Sequence, residues 1–178
     1  MAQSGESEQE LVYKADAGMS AAGHRYAEAL KAAVYKCTRE RQGGQAEKPC
    51  DFTNISDGNA EAKDSKEFVD MPTLKVWTSA QVKGAQTAEY FAQDPNVTIR
   101  KRMLLRGLNP GACGSTDIIE EKYPNEWKQY IKNPYYHRFP RGESYHDVAV
   151  RLEAVILELE REKDDVLIIA SESVLRCL

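Results

Sequence analysis

The chain has 178 residues, of which 42% are hydrophobic and 29% are charged, so it is long enough for one domain with a buried core. Its formal net charge of −4 argues against a nucleic-acid partner, because such proteins normally carry a basic excess. No apolar run approaches the length of a membrane span, and the first residues lack the basic and apolar regions of a signal peptide. These features predict a cytoplasmic protein with no membrane partner.

The first predicted helix begins near Ser20, a favourable N-cap residue. Its apolar stripe has helical spacing and consists of Ala22, Tyr26, Ala29, Leu30 and Ala33. Residues 38–72 then lose all periodicity and are rich in charged residues, glycine and asparagine. We expect a mobile surface insertion there, within a single domain that spans residues 1–178. An ordered excursion packed against the domain is the alternative.

The middle of the chain alternates short strands with helices. Leu74–Trp77 reads as a strand that ends in Thr78-Ser79, and these two residues can cap a helix over 80–92. Val97–Ile99 is a weaker strand. Further on, turn residues at Asn109-Pro110-Gly111 precede two short predicted helices, at 116–123 and 125–132.

The last part of the chain carries the clearest signals. A helix is predicted from Ser144 to about Arg161, with a stripe that consists of Val148, Leu152, Val155, Ile156 and Leu159. It leads into the apolar run at 166–170, which is typical of a central, parallel strand covered on both faces. The pattern predicts an α/β fold in three layers, with a mainly parallel sheet flanked by helices. Because ligands bind beyond the carboxyl ends of such strands, Ser171 marks the predicted site.

The cysteines give no sign of a metal centre. They are scattered without a Cys-x-x-Cys pair or a histidine at metal-ligand spacing: Cys37, Cys50, Cys113 and Cys177. We therefore expect reduced thiols and no metal, and nothing in the sequence calls for a cofactor.

Several segments together resemble one family. The segments, in chain order, are Gly5-Glu6-Ser7-Glu8, Leu74–Ser79 with Gln86-Thr87-Ala88-Glu89, Glu121-Lys122-Tyr123-Pro124, Gly142–Tyr145 through Arg151-Leu152-Glu153, and Val174–Leu178. They are similar to the histidine-phosphatase superfamily, and specifically to the bisphosphatase domain of 6-phosphofructo-2-kinase/fructose-2,6-bisphosphatase. The resemblance implies a phosphoglycerate-mutase-like fold and a domain cut from a longer protein with a kinase domain.

The family's mechanism, as the resemblance implies it, needs a nucleophilic histidine, a second histidine, a carboxylic acid and phosphate-binding arginines. This sequence departs from that set at nearly every position. The arginine and the nucleophile align with Gln3 and Ser4, and the second histidine aligns with Ser171. Another phosphate-binding arginine aligns with Lys83, and the acid falls on Gly107. Hence no catalytic residue is expected to be intact.

A few side chains still suit a sugar phosphate, such as fructose 2,6-bisphosphate. The candidate binding residues are Lys83, Arg138, Tyr145 and Arg176. Other interpretations stay open: Lys83 as a surface lysine, Arg138 in a solvated loop, Tyr145 in the core, and the two serines as hydrogen-bonded residues at strand ends.

Three hypotheses about function follow. The first is a catalytically inactive domain that supports, dimerises or regulates a 6-phosphofructo-2-kinase in the same protein. The second is a residual or altered sugar-phosphate phosphatase, which would need a base beside Ser4; the histidines, His24, His137 and His146, are far from it in sequence. The third is a sensor that binds a sugar phosphate without turnover.

Overall fold

Three parallel strands lie at the centre of the computed structural model, which describes residues 18–42, 73–111 and 116–178. They are β1 (Leu74–Ser79), β2 (Val97–Arg102) and β3 (Asp165–Ile169), in the order β2-β1-β3. In register, Leu74 of β1 lies opposite Val97 of β2 and opposite Asp165 of β3. The prediction of a parallel sheet is therefore confirmed. The strand we expected at the centre, β3, instead pairs only with β1 in this part of the chain.

The reason for this difference is visible in the burial of the strands. All six residues of β1 except Lys75 are buried, whereas every residue of β3 is only half-buried. An apolar run identifies a strand with two covered faces, but it does not distinguish a central position from an edge.

Six α-helices accompany the sheet in the described residues. Their bounds are α1 (Ala21–Gln42), α2 (Val82–Glu89), α3 (Thr116–Lys122), α4 (Pro124–Lys132), α5 (Tyr145–Leu159) and α6 (Glu172–Leu175), and a 3₁₀ turn (Met103–Leu105) follows β2. Pro124 separates α3 from α4, because proline ends one helix and suits the first position of the next.

Helices cover both faces of the sheet. On one face, Trp77 and Leu105 pack against buried residues of α5 and α6, among them Leu152 and Val174. On the other face, the buried residues come from α1, β1, α2 and the segment after α2: Val34, Leu74, Val76, Ala88 and Phe91. This arrangement confirms the three-layer α/β fold. Burial of such side chains is worth roughly 1.5–3 kcal/mol each, which makes the two clusters the main source of stability.

Helix α1 corrects two expectations. Its buried positions are Ala27, Val34 and Thr38, whereas Tyr26 of the predicted stripe is 47% exposed. The helix also continues to Gln42, so residues 38–42 do not belong to the predicted mobile insertion. Residues 43–72 lie outside the described residues, and that part of the prediction is not tested.

Two smaller predictions are also corrected. The residue that precedes α2 in the N-cap position is Gln81, so the helix begins two residues later than expected and Thr78-Ser79 complete β1. Cys37 is disulfide-bonded, whereas Cys177 is free, because distance along the sequence does not limit which thiols meet in the fold.

Candidate functional site

The segments that leave the carboxyl ends of the strands meet at the same end of the sheet. Gln81 follows β1, Gly107 and Leu108 follow β2 and its 3₁₀ turn, and Ser171 and Ser173 follow β3. Parallel strands bring their carboxyl ends to the same edge, which is where ligands bind in open α/β sheets.

Hydrogen bonds join these segments directly. The Gly107 N–H donates to Gln81 Oε1 at 3.1 Å, and the Leu108 N–H donates to Ser173 Oγ at 3.1 Å. Ser173 Oγ in turn lies 3.0 Å from Ser171 Oγ. We call Gln81, Gly107, Ser171 and Ser173 the strand-end cluster. All of its polar groups are uncharged.

Two predicted site positions, Gly107 and Ser171, are in contact. A Cβ atom at Gly107 would lie 3.0 Å from Ser171 Oγ and 3.4 Å from Ser171 Cβ. The sequence alignment with the family placed the acid at Gly107 and the second histidine at Ser171, so the structure brings these two positions together. The close approach also leaves little room for a side chain at Gly107.

Arg151 fixes the loop that carries Gly107. Its guanidinium donates to the carbonyl oxygens of Leu104 and of Arg106, the latter at 2.6 Å, and it lies 3.3 Å from Glu143 Oε1. Burial lowers the pKa of Arg151 from its ordinary value. Since its side chain is only 13% exposed, these contacts hold a largely desolvated charge.

Glu143 connects the loop before α5 to the loop after β2. Its carboxylate pairs with Arg106 at 2.6 Å and accepts a hydrogen bond from the Asn109 N–H at 3.1 Å. The Glu143 N–H donates back to the Asn109 carbonyl at 2.8 Å. The two loops also approach closely at Gly111, which has φ +69°. Only glycine fits at this position, because a Cβ there would lie 2.2 Å from the Pro140 carbonyl oxygen.

Arg138, predicted as a phosphate contact, is engaged in the start of α5. Its Nε donates to Asp147 Oδ2 at 2.8 Å, and a second guanidinium nitrogen donates to Asp147 Oδ1. This pairing and the hydrogen bonds from Ser144 lower the pKa of Asp147 below its ordinary value. The bidentate contact that would suit a phosphate is therefore made to a carboxylate of the same chain.

Tyr145 and Arg176 lie close enough to interact electrostatically. Burial raises the pKa of the Tyr145 hydroxyl, and the positive charge of Arg176 opposes that shift. Arg176 also pairs with Glu172 at 2.6 Å, and both side chains are exposed. The positive charge of Arg176 is thus already paired with a carboxylate.

Lys83 lies on an exposed position of α2. Its backbone carbonyl accepts a hydrogen bond from the Thr87 hydroxyl at 2.9 Å. This placement agrees with a surface lysine, and a role in phosphate binding stays a prediction. Gln3 and Ser4 lie outside the described residues, so the predicted proximity of Ser4 to Ser171 is not tested.

Each of the three histidines contacts residues other than Ser171. His24 Nδ1 is 2.8 Å from the Tyr90 hydroxyl, and His137 Nε2 is 3.3 Å from Glu126. The ring of His146 packs against Tyr135 and Tyr136. No group of histidines, cysteines and carboxylates suited to a metal ion occurs in residues 18–42, 73–111 and 116–178.

Sequence reasoning missed four residues of this site: Gln81, Glu143, Arg151 and Ser173. Gln81 and Ser173 could have been found, because each follows a strand end by two to four residues, as Ser171 does. Arg151 belongs to a segment that resembles the family, but an arginine within an amphipathic helix normally faces solvent, so its place in the site was not predicted.

Comparison with known proteins identifies the family. Residues 38–178 match the histidine phosphatase superfamily (branch 1), and the chain belongs to this superfamily. The resemblance inferred from the sequence is therefore confirmed at the level of the family. No helix in the described parts of the chain is both long and apolar enough to cross a membrane.

The curated relatives are bifunctional by name. The chain is 40% identical over 169 residues to a Saccharomyces cerevisiae protein that carries a provisional 6-phosphofructo-2-kinase/fructose-2,6-bisphosphatase name, covering 93% of this chain and 31% of the yeast protein. It is 40% identical over 108 residues to the Rattus norvegicus 6-phosphofructo-2-kinase/fructose-2,6-bisphosphatase 1, covering 60% of this chain and 22% of that protein. The chain thus spans less than a third of either relative.

Solved structures share the fold at low sequence identity. A mycobacterial glucosyl-3-phosphoglycerate phosphatase aligns with a TM-score of 0.58 at 16% identity, over 92% of this chain and 67% of that chain. Bacillus stearothermophilus YhfR aligns with a TM-score of 0.58 at 20% identity, over 92% of this chain and 66% of that chain. At these identities the likeness concerns the fold alone.

Proposed function

We propose that this chain is a fructose-2,6-bisphosphatase-type domain that no longer transfers phosphate. In this proposal it serves a structural or regulatory role for a 6-phosphofructo-2-kinase domain of the same longer protein, in the cytoplasm. The identity of 40% to bifunctional relatives supports the domain type. The arrangement of the strand-end cluster supports the loss of activity.

One observation carries the inactivity. Ser171, where the family places a histidine, pairs its hydroxyl with Ser173, while His24, His137 and His146 contact other residues. A phosphohistidine mechanism needs an imidazole that is neutral near pH 7 and points at the phosphate. A serine hydroxyl cannot replace it without an adjacent base.

The charges around the cluster support the same proposal. Phosphate transfer requires positive groups that are fixed and free to meet the developing negative charge. Arg106 and Arg151, the arginines on the Gly107 loop or bonded to it, share Glu143. The backbone N–H groups of Gly107 and Leu108 also donate to protein side chains rather than pointing at an open site.

The other two hypotheses receive less support. A sugar-phosphate sensor would rely on Lys83, Arg138, Tyr145 and Arg176. The two arginines of this set already pair with Asp147 and Glu172. A residual phosphatase would require a base beside Ser4, which lies outside the described residues. Calorimetry with millimolar fructose 2,6-bisphosphate would detect either kind of binding, and we expect no heat and no thermal shift.

The experiment that tests the proposal is phosphate release from fructose 2,6-bisphosphate by the purified 178-residue chain. We expect no release above the buffer rate, because the nucleophile, the acid and the phosphate clamp are all replaced; general acid catalysis alone is worth ~10²–10⁴ in rate. The rat relative serves as the positive control. Steady, enzyme-dependent release would overturn the proposal.

The regulatory part of the proposal needs the longer protein. Its 6-phosphofructo-2-kinase activity and its sedimentation would be compared with and without residues 1–178. We expect removal of the domain to change the kinase activity or the association state, because a domain without catalysis can act only through contacts. Unchanged kinetics and unchanged mass would argue against a regulatory role and against homodimerisation through this domain.

A further inference from the structure

The outer edge of β2 is open in the part of the chain that the structure describes. β2 pairs with β1 along its full length, from Val97 opposite Leu74 to Arg102 opposite Ser79, and with no other described strand. The backbone groups on its other side thus have no strand partner among residues 18–42, 73–111 and 116–178. An open edge of this length is a template for adding another strand.

The same edge carries consecutive basic residues. Arg100 and Lys101 are exposed, and neither side chain makes a hydrogen bond or an ion pair in the described structure. Arg102 differs from them, because it pairs with Glu158 and its guanidinium lies 4.8 Å from the centre of the Trp77 ring. Two of the three cations are therefore available to a partner.

The two available cations lie on opposite faces of the sheet. Side chains alternate along a strand, and Val97 and Ile99 face the cluster formed by α1 and α2. Lys101 belongs to that face by alternation. Arg100 belongs with Arg102, which lies over Trp77 on the α5 face.

Apolar side chains continue the surface beyond the end of β2. Met103 is 69% exposed and Leu104 is 42% exposed, in the turn that directly follows Arg102. An extended segment lying along β2 would run onto these two side chains. They offer an apolar anchor next to the charged part of the edge.

Basic residues on an edge strand also protect it from non-specific pairing. That protection works against uncharged strands and against a second copy of the same edge, since pairing two copies of β2 would bring two runs of cations together. It does not work against an acidic strand, which the same cations attract. The charge of the edge therefore selects among partners.

We infer that the outer edge of β2 binds an extended acidic segment of a partner protein by strand addition. The segment carries two consecutive acidic residues, because one must face Arg100 and the next must face Lys101 on the other side of the sheet. Residues opposite Val97–Ile99 are β-branched or apolar, which suits a partly covered strand. This inference rests on the fold and is independent of the proposed loss of phosphatase activity.

The test uses the 178-residue chain and a fluorescein-labelled peptide, Ser-Val-Thr-Val-Glu-Glu-Ile-Ser, at low salt. We expect saturable binding that weakens about tenfold in the Arg100→Gln/Lys101→Gln variant, as the loss of two cross-strand ion pairs predicts. The matched control is Lys128→Gln/Lys132→Gln, which removes two exposed lysines from α4 and should leave the affinity unchanged. A peptide with Lys-Lys in place of Glu-Glu should not bind.

Hydrogen exchange locates the peptide. We expect the β2 amides that face away from β1 to exchange more slowly when the peptide is bound, and the amides of α4 to be unaffected. Three results would each overturn the inference: no saturable binding, equal weakening by the control variant, or protection of these outward-facing amides in the free chain. Sedimentation that shows a dimer broken by Arg100→Gln/Lys101→Gln would also overturn it, because the edge would then be occupied by a second copy.

Discussion

At the scale of single residues, Gly107 is the position where the strand-end cluster is most tightly packed. The nearest atom to a Cβ built there is Ser171 Oγ, at 3.0 Å, which is closer than ordinary contact. Any side chain would have to displace Ser171, and Ser171 is itself bonded to Ser173. The effect of a substitution at Gly107 on stability therefore shows whether Gly107 and Ser171 are in contact in solution.

We predict that Gly107→Ala lowers the free energy of unfolding by about 1–2 kcal/mol, as overpacking does elsewhere. In a Ser171→Gly background the same change should cost clearly less, because the obstructing Oγ and Cβ are gone. Urea unfolding of the four proteins in this cycle measures the difference. Gly23→Ala in α1 is the control: its nearest contact would be 3.4 Å, and it should stabilise the helix by roughly 0.5–1 kcal/mol. Equal costs in both backgrounds would show that the two residues are not in contact.

At the scale of elements, the start of α5 is held by a hydrogen-bonded cap. Ser144 Oγ accepts from the Asp147 N–H at 3.2 Å, and the Ser144 N–H donates to Asp147 Oδ2 at 2.8 Å, which is a reciprocal capping box. Arg138 adds a bidentate pair to the same carboxylate. The helix that covers one face of the sheet thus begins at a carboxylate that must be ionised.

We predict that this carboxylate makes stability depend on pH. The pKa of Asp147 is lowered in the folded state, chiefly by Arg138, so its contribution is complete above its ordinary pKa of 3.8 and declines as the pH falls below that value. Asp147→Asn should therefore destabilise the protein at pH 7 and should differ less from the wild type at pH 3. Urea midpoints at both pH values measure this. Glu153→Gln, an exposed carboxylate of the same helix, should show no such pattern.

At the scale of the whole molecule, Arg151 connects elements that are distant in sequence. It lies on α5, bonds the carbonyls of the turn and loop after β2, and pairs with Glu143 of the loop before α5. Through that loop it reaches Gln81 and Ser173, the residues that follow β1 and β3. One guanidinium thus supports the whole carboxyl edge of the sheet.

We predict that Arg151→Met lowers the free energy of unfolding by about 1.5–3 kcal/mol, because two carbonyl oxygens and Glu143 lose a charged partner while the apolar stem is kept. Amide exchange in residues 104–109 should accelerate at the same time. Arg161→Met, an exposed arginine just beyond α5, should change neither quantity. If both variants unfold at the same urea concentration, the network around Arg151 does not contribute to stability.

How far the sequence predicts this molecule depends on the kind of interaction. Helix α5 was predictable because burial imposes a helical period on its residues, and strands β1, β2 and β3 were predictable as short runs of apolar and β-branched residues. The position of β1 at the centre was not, since the run at 166–170 is more apolar than 74–79 although it lies at the edge of the described sheet. Pairing order depends on contacts between distant segments, which leave no local pattern.

Some features of the site could likewise be predicted from the sequence, and others could not. Gly107 and Ser171 were named from the family resemblance, and the fold places them in contact, which the sequence did not predict. The pairing of Arg138 with Asp147 was not predicted. The sequence around an arginine in a loop does not indicate whether its partner is a ligand or a carboxylate of the same chain. A long charged side chain can reach several different partners, and the fold determines which of them lies within hydrogen-bonding distance.

The order of the strands has a consequence for how the chain is made. β1 and β2 are close in sequence and can pair early. The other side of β1 stays unpaired until β3 has been synthesised, because Leu74 pairs there with Asp165. Translation at ~5–20 residues per second keeps that side unsatisfied on the order of 5–20 s after β1 emerges. During this interval the most buried of the three described strands presents a free edge, and this is when a nascent chain most needs a chaperone.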